Sequence, residues 1–266
     1  MTASLTWVDA FSEAQFGGNP AAVCLPETAL SAEYMQALAA ELGISETAFV
    51  TPTDGHDTFD LRWFSPLVEI DLCGHATLAS AHVLAAHGVI DGTAPVTFRT
   101  RSGPLRASFD GDLIELDFPA DPIVEGPLPR SLAGEWGESE VVGAGSTSFF
   151  SVVTLASAAA VRSYRPDLAA IAATGQRAVL ITAAAEPGTG ADYVLRVFGP
   201  NVGIDEDPAT GSAQCAVGPF WSGALGKPRL VAHQASARGA VLHVRPDGDR
   251  VHIGGKAVTV FSGRLC

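Results

Sequence analysis

Hydrophobic positions along the chain come in short runs broken by glycine, proline and small polar residues, a pattern that predicts many strands and few helices. Residues 5–11 are apolar and β-prone, Phe16-Gly17-Gly18-Asn19-Pro20 interrupts them, and residues 21–25 resume the pattern. A helix is predicted from the cap Ser31 through Met35, Leu38 and Leu42, whose spacing makes one apolar stripe, with Gly43 as its stop. Residues 44–50, 59–64, 96–100, 105–109 and 113–118 read as strands, the last two joined by a hairpin turn at Asp110-Gly111-Asp112. Between them, Ile70-Asp71-Leu72-Cys73-Gly74-His75-Ala76 passes from an apolar run through glycine into a helix that should reach about His87 and stop at Gly88. Residues 119–145 are rich in Pro, Gly and acidic side chains without a long period, which suggests a linker or crossover. After it come a strand at 149–155, a short helix at 166–173 with Pro at its start, and a strand at 178–182.

The same order recurs. Leu61-Arg62-Trp63-Phe64-Ser65-Pro66 matches Leu195-Arg196-Val197-Phe198-Gly199-Pro200, and Asp71 with the glycine turn at Gly74 matches Asp207 with the turn at Gly211. Further along, Gly103-Pro104-Leu105 matches Gly239-Ala240-Val241, and Gly111-Asp112 matches Gly248-Asp249. Four matches in register imply a duplicated α/β unit, with halves at residues 1–120 and 121–266 and a last strand that could return to the first half. Packed about a pseudo-twofold axis, such halves would bring both glycine turns to one cleft, where helix N-termini favour an anion. The halves differ in chemistry: the first offers Glu46 where the second has Gln176, and His75 where the second has Gly211 or Ser212. Glu46 stands at the mouth of an apolar strand. It is either a solvated loop residue or a carboxylate whose pKa desolvation raises.

Composition narrows the function. With 47% hydrophobic and 17% charged residues the chain is a folded, turn-rich protein, and a net charge of −13 argues against nucleic acid or an anionic membrane as partner. No apolar run of about 18 residues and no basic leader occur, which suggests a cytoplasmic protein. Cys24, Cys73, Cys215 and Cys266 lack CxxC spacing, and His82 and His87 lie five apart rather than four, so no metal site is signalled. Gly226-Lys227 is followed by Pro228, not Ser or Thr, and no dinucleotide fingerprint opens a helix, so no nucleotide cofactor is expected.

Asp9-Ala10-Phe11 with Gly18-Asn19-Pro20, Ser45-Glu46-Thr47-Ala48-Phe49, Leu72-Cys73-Gly74-His75-Ala76-Thr77 and Glu206-Asp207-Pro208-Ala209-Thr210-Gly211-Ser212-Ala213 together resemble the PhzF family, named for the phenazine biosynthesis isomerase. The resemblance implies the diaminopimelate epimerase-like fold: two pseudo-symmetric α/β (α+β) domains, each a mixed sheet around a central helix. It also implies a homodimer that needs no cofactor or metal and acts on a small carboxylic acid. By matching motif, Glu46 is the acid–base residue with His75 and Asp207 as polar neighbours. Asn19, Cys73, Gly74, Thr210, Gly211 and Ser212 hold substrate, its carboxylate on the glycine-turn amides. The chain departs from the family at Ala235, where Gly usually follows Gln234. The rival mechanism on the epimerase fold uses a thiol on each face of the substrate carbon. It lacks its second cysteine here, since Ala209 or Thr210 stands opposite Cys73 in the repeat. The other alternative is a member that binds a small acid or a protein without turning it over.

Overall fold

In the computed structural model, which describes residues 3–137 and 140–265, the chain forms two units, residues 1–117 with 254–266 and residues 118–253. The first unit begins with β1 (Ala3–Ala10), β2 (Asn19–Pro26), α1 (Ala32–Leu42), β3 (Glu46–Pro52), β4 (Thr58–Phe64) and β5 (Glu69–Ile70). It continues through α2 (Gly74–Ala86), β6 (Val96–Thr100), β7 (Gly103–Asp110) and β8 (Leu113–Pro119). α1 is capped as its sequence requires: Ser31 accepts the Tyr34 N–H and Gly43 takes the left-handed conformation, φ 65°. Its one buried stripe, Met35 and Ala39, packs on a core that includes Leu5, Cys24, Phe49 and Phe64. α2 is different, because nine of its residues from His75 to Leu84 are buried. It contacts β1, β2 and β3 and is the centre of the unit. Ala76, Ala79, Ser80 and Ala81 let strands approach closely, while the buried hydroxyls of Thr77 and Ser80 donate to the carbonyls of Cys73 and Ala76. Val83 and Leu84 add roughly 1.5–3 kcal/mol each by full burial.

The second unit contains β9 (Val124–Glu125), β10 (Val141–Ser146), β11 (Phe150–Leu155), α3 (Ala158–Ser163), α4 (Leu168–Ala172), β12 (Ala178–Ala184), β13 (Tyr193–Gly199) and β14 (Ile204–Asp207). α5 (Gly211–Leu225), β15 (Leu230–Gln234), β16 (Ala240–Asp247) and β17 (Arg250–Gly255) follow. The last strand, β18 (Ala257–Leu265), runs antiparallel to β1 in the first unit, whereas the sequence division placed residues 121–266 together and only allowed for that return.

Pairing repeats strand for strand. β1–β2, β3–β4, β4–β5 and β6–β7 are antiparallel and β2–β3 and β4–β6 parallel; β10–β11, β12–β13, β13–β14 and β15–β16 are antiparallel and β11–β12 and β13–β15 parallel. The register revises one correspondence drawn from sequence. Thr47 pairs with Phe64 and Val179 with Phe198, so the residue equivalent to Glu46 is Ala178, not Gln176. The supposed linker is also structured: Leu132 is fully buried in the core of the second unit, and β9 and β10 lie within residues 119–146. Periodicity missed this stretch because its buried residues are isolated between Pro and Gly. α3, capped by Ser157, is too short at six residues to show a period, and α4 starts after Asp167, whose carboxylate accepts the amides of Ala169 and Ala170. Among the described residues no helix is long and apolar enough to cross a membrane.

Candidate active site

Glu46 is the first residue of β3, beside Ala21 of β2, and β2 itself opens at the fully buried Asn19. α2 starts one residue after Cys73, whose extended backbone (φ −145°, ψ 111°) swings the chain into the helix and places His75 in the first turn. The three side chains meet. His75 Nε2 lies 3.1 Å from Glu46 Oε2, and His75 Nδ1 lies 3.5 Å from Cys73 Sγ. His75 is 8% and Cys73 7% exposed, so both sides of the imidazole are screened from water.

Burial sets the electrostatics, and proximity then reverses part of it. Desolvation pushes the Glu46 carboxyl up, but the hydrogen bond and charge of His75 pull harder and leave it below its ordinary value of 4.5. The expected upward shift therefore does not occur, because the partner that outweighs desolvation comes from a different element. Burial also opposes a charged imidazole at His75, yet Cys73 and Glu46 together hold it well above 6.5. Burial drives the Cys73 thiol up, only partly offset by His75. Glu46 is thus held as a carboxylate on the Nε2 side of the His75 ring, with the Cys73 sulfur toward Nδ1.

In the second unit the equivalent turn is built differently. Thr210 replaces Cys73 as the residue before the helix, and Gly211 and Ser212 open α5, buried and exposed respectively. The Thr210 hydroxyl donates to Asp207 at 2.6 Å, and the whole turn is held by Gln234, which is fully buried. Its Nε2 donates to the Asp207 carbonyl at 2.7 Å and to Thr210 Oγ1 at 3.1 Å, and its Oε1 accepts the Thr210 N–H at 2.8 Å. The Thr210 amide is thereby committed to Gln234. From the helix side, Gln214 donates to the Thr210 carbonyl and accepts the Tyr193 hydroxyl at 2.6 Å. Ala235 has no left-handed backbone, so a side chain there in place of glycine introduces no strain.

Capping separates these two helices from the others. α1, α3 and α4 each have a Ser or Asp oxygen on a first-turn amide, whereas α2 and α5 have none. The Ala76 N–H faces the Cys73 sulfur, and the Thr210 hydroxyl is turned to Asp207. The amides of Gly74 and His75, and of Gly211 and Ser212, thus carry a positive helix end without a built-in acceptor oxygen, which suits a carboxylate.

Sequence reading gave roles to Glu46, Cys73, His75, Asp207 and the turn residues but none to Gln234, Gln214 or Tyr193. Nor did it find that the arginine in each Leu-Arg-X-Phe repeat grips a glutamate: Arg62 with Glu69 and Arg196 with Glu206. The repeated arginine was the available signal, since a charge conserved between two copies of a buried strand demands a partner.

The chain belongs to the PhzC-PhzF family, described as phenazine biosynthesis-like proteins, which it matches over residues 8–263. It is 46% identical over 259 residues to an uncharacterized isomerase of Pseudomonas aeruginosa, covering 97% of this chain and 96% of that one. With an uncharacterized isomerase of Halalkalibacterium halodurans it shares 41% identity over 266 residues, covering 100% and 99%. A crystal structure of a phenazine biosynthesis protein of the PhzF family from Enterococcus faecalis superposes with a TM-score of 0.93 at 35% identity over the whole of both chains. The mixed α+β fold extends to epimerases: a hydroxyproline epimerase from Agrobacterium vitis gives a TM-score of 0.62 at 13% identity, over 99% of this chain and 92% of that one.

Proposed function

We propose that this protein is a cofactor-independent isomerase that moves a proton on a small unsaturated or amino-substituted carboxylic acid, with Glu46 as the group that carries it. The observation that carries the reading is the buried 3.1 Å contact of Glu46 with His75 at the N-terminus of an uncapped central helix. Kept ionised by His75, the Glu46 carboxylate can take a proton from one carbon, leaving the electron pair delocalised over the substrate's adjacent π system. It then returns the same proton to another carbon, so nothing is consumed. His75, charged throughout, offsets the negative charge that develops as Glu46 gives up its own. The substrate carboxylate draws on the amides at Gly74-His75, with Asn19 as a further polar group; in the second unit the amides at Gly211-Ser212, beside Asp207, offer the same kind of helix end. Relatives named isomerases and the match to the family support the reaction class.

A two-thiol epimerase is disfavoured. The residue equivalent to Cys73 is Thr210, and Cys215, one turn further along α5, is 6% exposed with its thiol pushed up to about 12 by burial. The test begins with a thermal-shift screen of cyclic and amino-substituted carboxylic acids, since a ligand stabilises the fold by its binding free energy. Acids that bind are then followed by proton NMR in deuterated solvent. A new isomer formed by the wild type and not by Glu46→Gln supports the reading; binding without conversion leaves a non-catalytic acid-binding protein.

A further inference from the structure

α2 ends against the strand that closes the chain. Thr259 of β18 meets His82 of α2, Oγ1 to Nε2 at 3.0 Å, and His87, the C-cap of the helix, places Nε2 3.3 Å from Thr6 Oγ1 of β1. Ser262 of β18 donates to the same Thr6 oxygen at 3.1 Å. Thr6 is 1% exposed; having accepted from Ser262 it still has its own hydrogen to give, which suits a neutral Nε2 on His87. One imidazole thus holds β18 directly and the other holds it through Thr6. The charges on the elements packed against α2 are otherwise engaged or exposed. Glu46 of β3 meets His75, Asp9 of β1 accepts the Phe16 N–H, and Arg106 and Asp110 of β7, Arg264 of β18 and Asp91 beyond the helix are exposed. What acts on His82 is burial and the charge of His87. We propose that His82 and His87 form an acid-sensitive latch that holds β18 on α2 at neutral pH and lets the strand lift in acid.

The direction follows from linkage. With β18 in place, a proton on His82 sits in a half-buried seam beside a second imidazole, and both influences hold its value below 6.5. Once the strand lifts, water reaches the ring and the penalty disappears. The open seam then binds the proton more tightly than the closed one, so falling pH favours opening. The effect has a route to the candidate site. Gln15 Nε2 donates to the Thr259 carbonyl at 3.0 Å, and the Ser12 N–H donates to the carbonyl of Lys256, the residue before β18, at 3.2 Å. Both belong to the loop between β1 and β2 that leads into Asn19, so lifting β18 also frees the approach to that residue. The latch itself does not depend on the isomerase reading.

Hydrogen–deuterium exchange of the full chain at about pH 7.5 and about pH 5.5, corrected for the intrinsic pH dependence of amide exchange, reads the opening of the strand. In the wild type the opening equilibrium of the β18 amides is expected to rise by about threefold or more on acidification, while the amides of β12 in the second unit stay constant. His82→Gln keeps a hydrogen-bonding group for Thr259 but cannot take up a proton, so the rise should largely vanish; His87→Gln should reduce it. The wild-type measurement needs no variant to fold. Equal protection of β18 at both pH values, or an undiminished rise in a folded His82→Gln, would overturn the latch. So would a rise shared by β12, since that would be general loosening and not the release of one strand.

Discussion

Arg62 and Arg196 hold the same post in two copies of one strand. Each follows leucine in Leu-Arg-X-Phe, each grips a glutamate of the next strand through Nε and Nη2 at 2.7–2.9 Å, and each guanidinium lies over the phenylalanine two residues on, at 5.1 and 4.9 Å. The grips brace β5 and β14, the short strands that deliver the chain into the turns before α2 and α5.

Their surroundings differ, and so should their energies. The Arg196 side chain is 9% exposed and also donates to the carbonyls of Val161 and Tyr164, whereas Arg62 is 34% exposed and its partner Glu69 keeps a second cation, Arg101, at 2.9 Å. Arg196→Ala is expected to cost about 3–5 kcal/mol because it strands a partly buried carboxylate and two carbonyls. Arg62→Ala should cost about 1 kcal/mol. Urea denaturation of the two variants checks this, and equal losses would show that burial does not set the difference.

Gln234 is expected to be as important to the second unit as any apolar core residue. Gln234→Leu keeps approximate volume but takes away the acceptor of the buried Thr210 N–H and the hydrogen bonds that Gln234 gives to the Asp207 carbonyl and to Thr210 Oγ1, for a loss of about 2–4 kcal/mol. Gln234→Glu keeps the acceptor for the Thr210 amide and loses the donor to Asp207, so its loss should be smaller when the new carboxyl is protonated at acid pH. Unfolding curves at two pH values separate these cases; a Leu variant as stable as wild type would remove Gln234 from the account.

The Glu46–His75 pair has a definite sign in pH. A raised His75 value contributes stability that is full below 6.5 and lost as pH climbs through the raised value; a lowered Glu46 value contributes stability that is full above 4.5 and lost as pH falls through the lowered value. The pair is therefore most stabilising between 4.5 and 6.5. His82 works in the opposite sense: burial lowers its value, so its contribution falls away as pH drops below 6.5. Comparing wild type with Glu46→Gln cancels the His82 part. By NMR, the His75 ring should titrate well above pH 6.5 in the wild type and move down in Glu46→Gln; no movement would mean that the pair is not coupled.

On a confirmed substrate, Glu46→Gln should lower kcat by about 10²–10⁴-fold while leaving affinity within roughly a few-fold, since the amide keeps shape and hydrogen bonding but cannot carry the proton. The acid limb of the wild-type kcat/KM profile should fall below pH 4.5, where Glu46 becomes protonated, and activity should hold through neutrality. Near-wild-type turnover in Glu46→Gln would put the binding reading ahead.

Local chemistry made much of this fold readable from the chain alone. Ser31 and Gly43 mark the ends of α1, Asp110-Gly111-Asp112 turns one hairpin, and the repeated Leu-Arg-X-Phe and glycine turns reveal the duplication, because caps, turns and alternation act over a few residues. Glu46, Cys73 and His75 could be named for their residue types and family motifs. Tertiary structure alone decided what each residue meets. The meeting of β3 with the start of α2 sets His75 against Glu46 and turns an expected upward shift of its carboxyl into a downward one. Strand register, a property of pairing between distant segments, made Ala178 rather than Gln176 the counterpart of Glu46. Gln234 reaches its turn from 24 residues away, and Leu132 finds a core across a stretch with no period. Such contacts cannot be read in sequence, since the energy that fixes them is burial and electrostatics shared between elements and not the preference of any one residue.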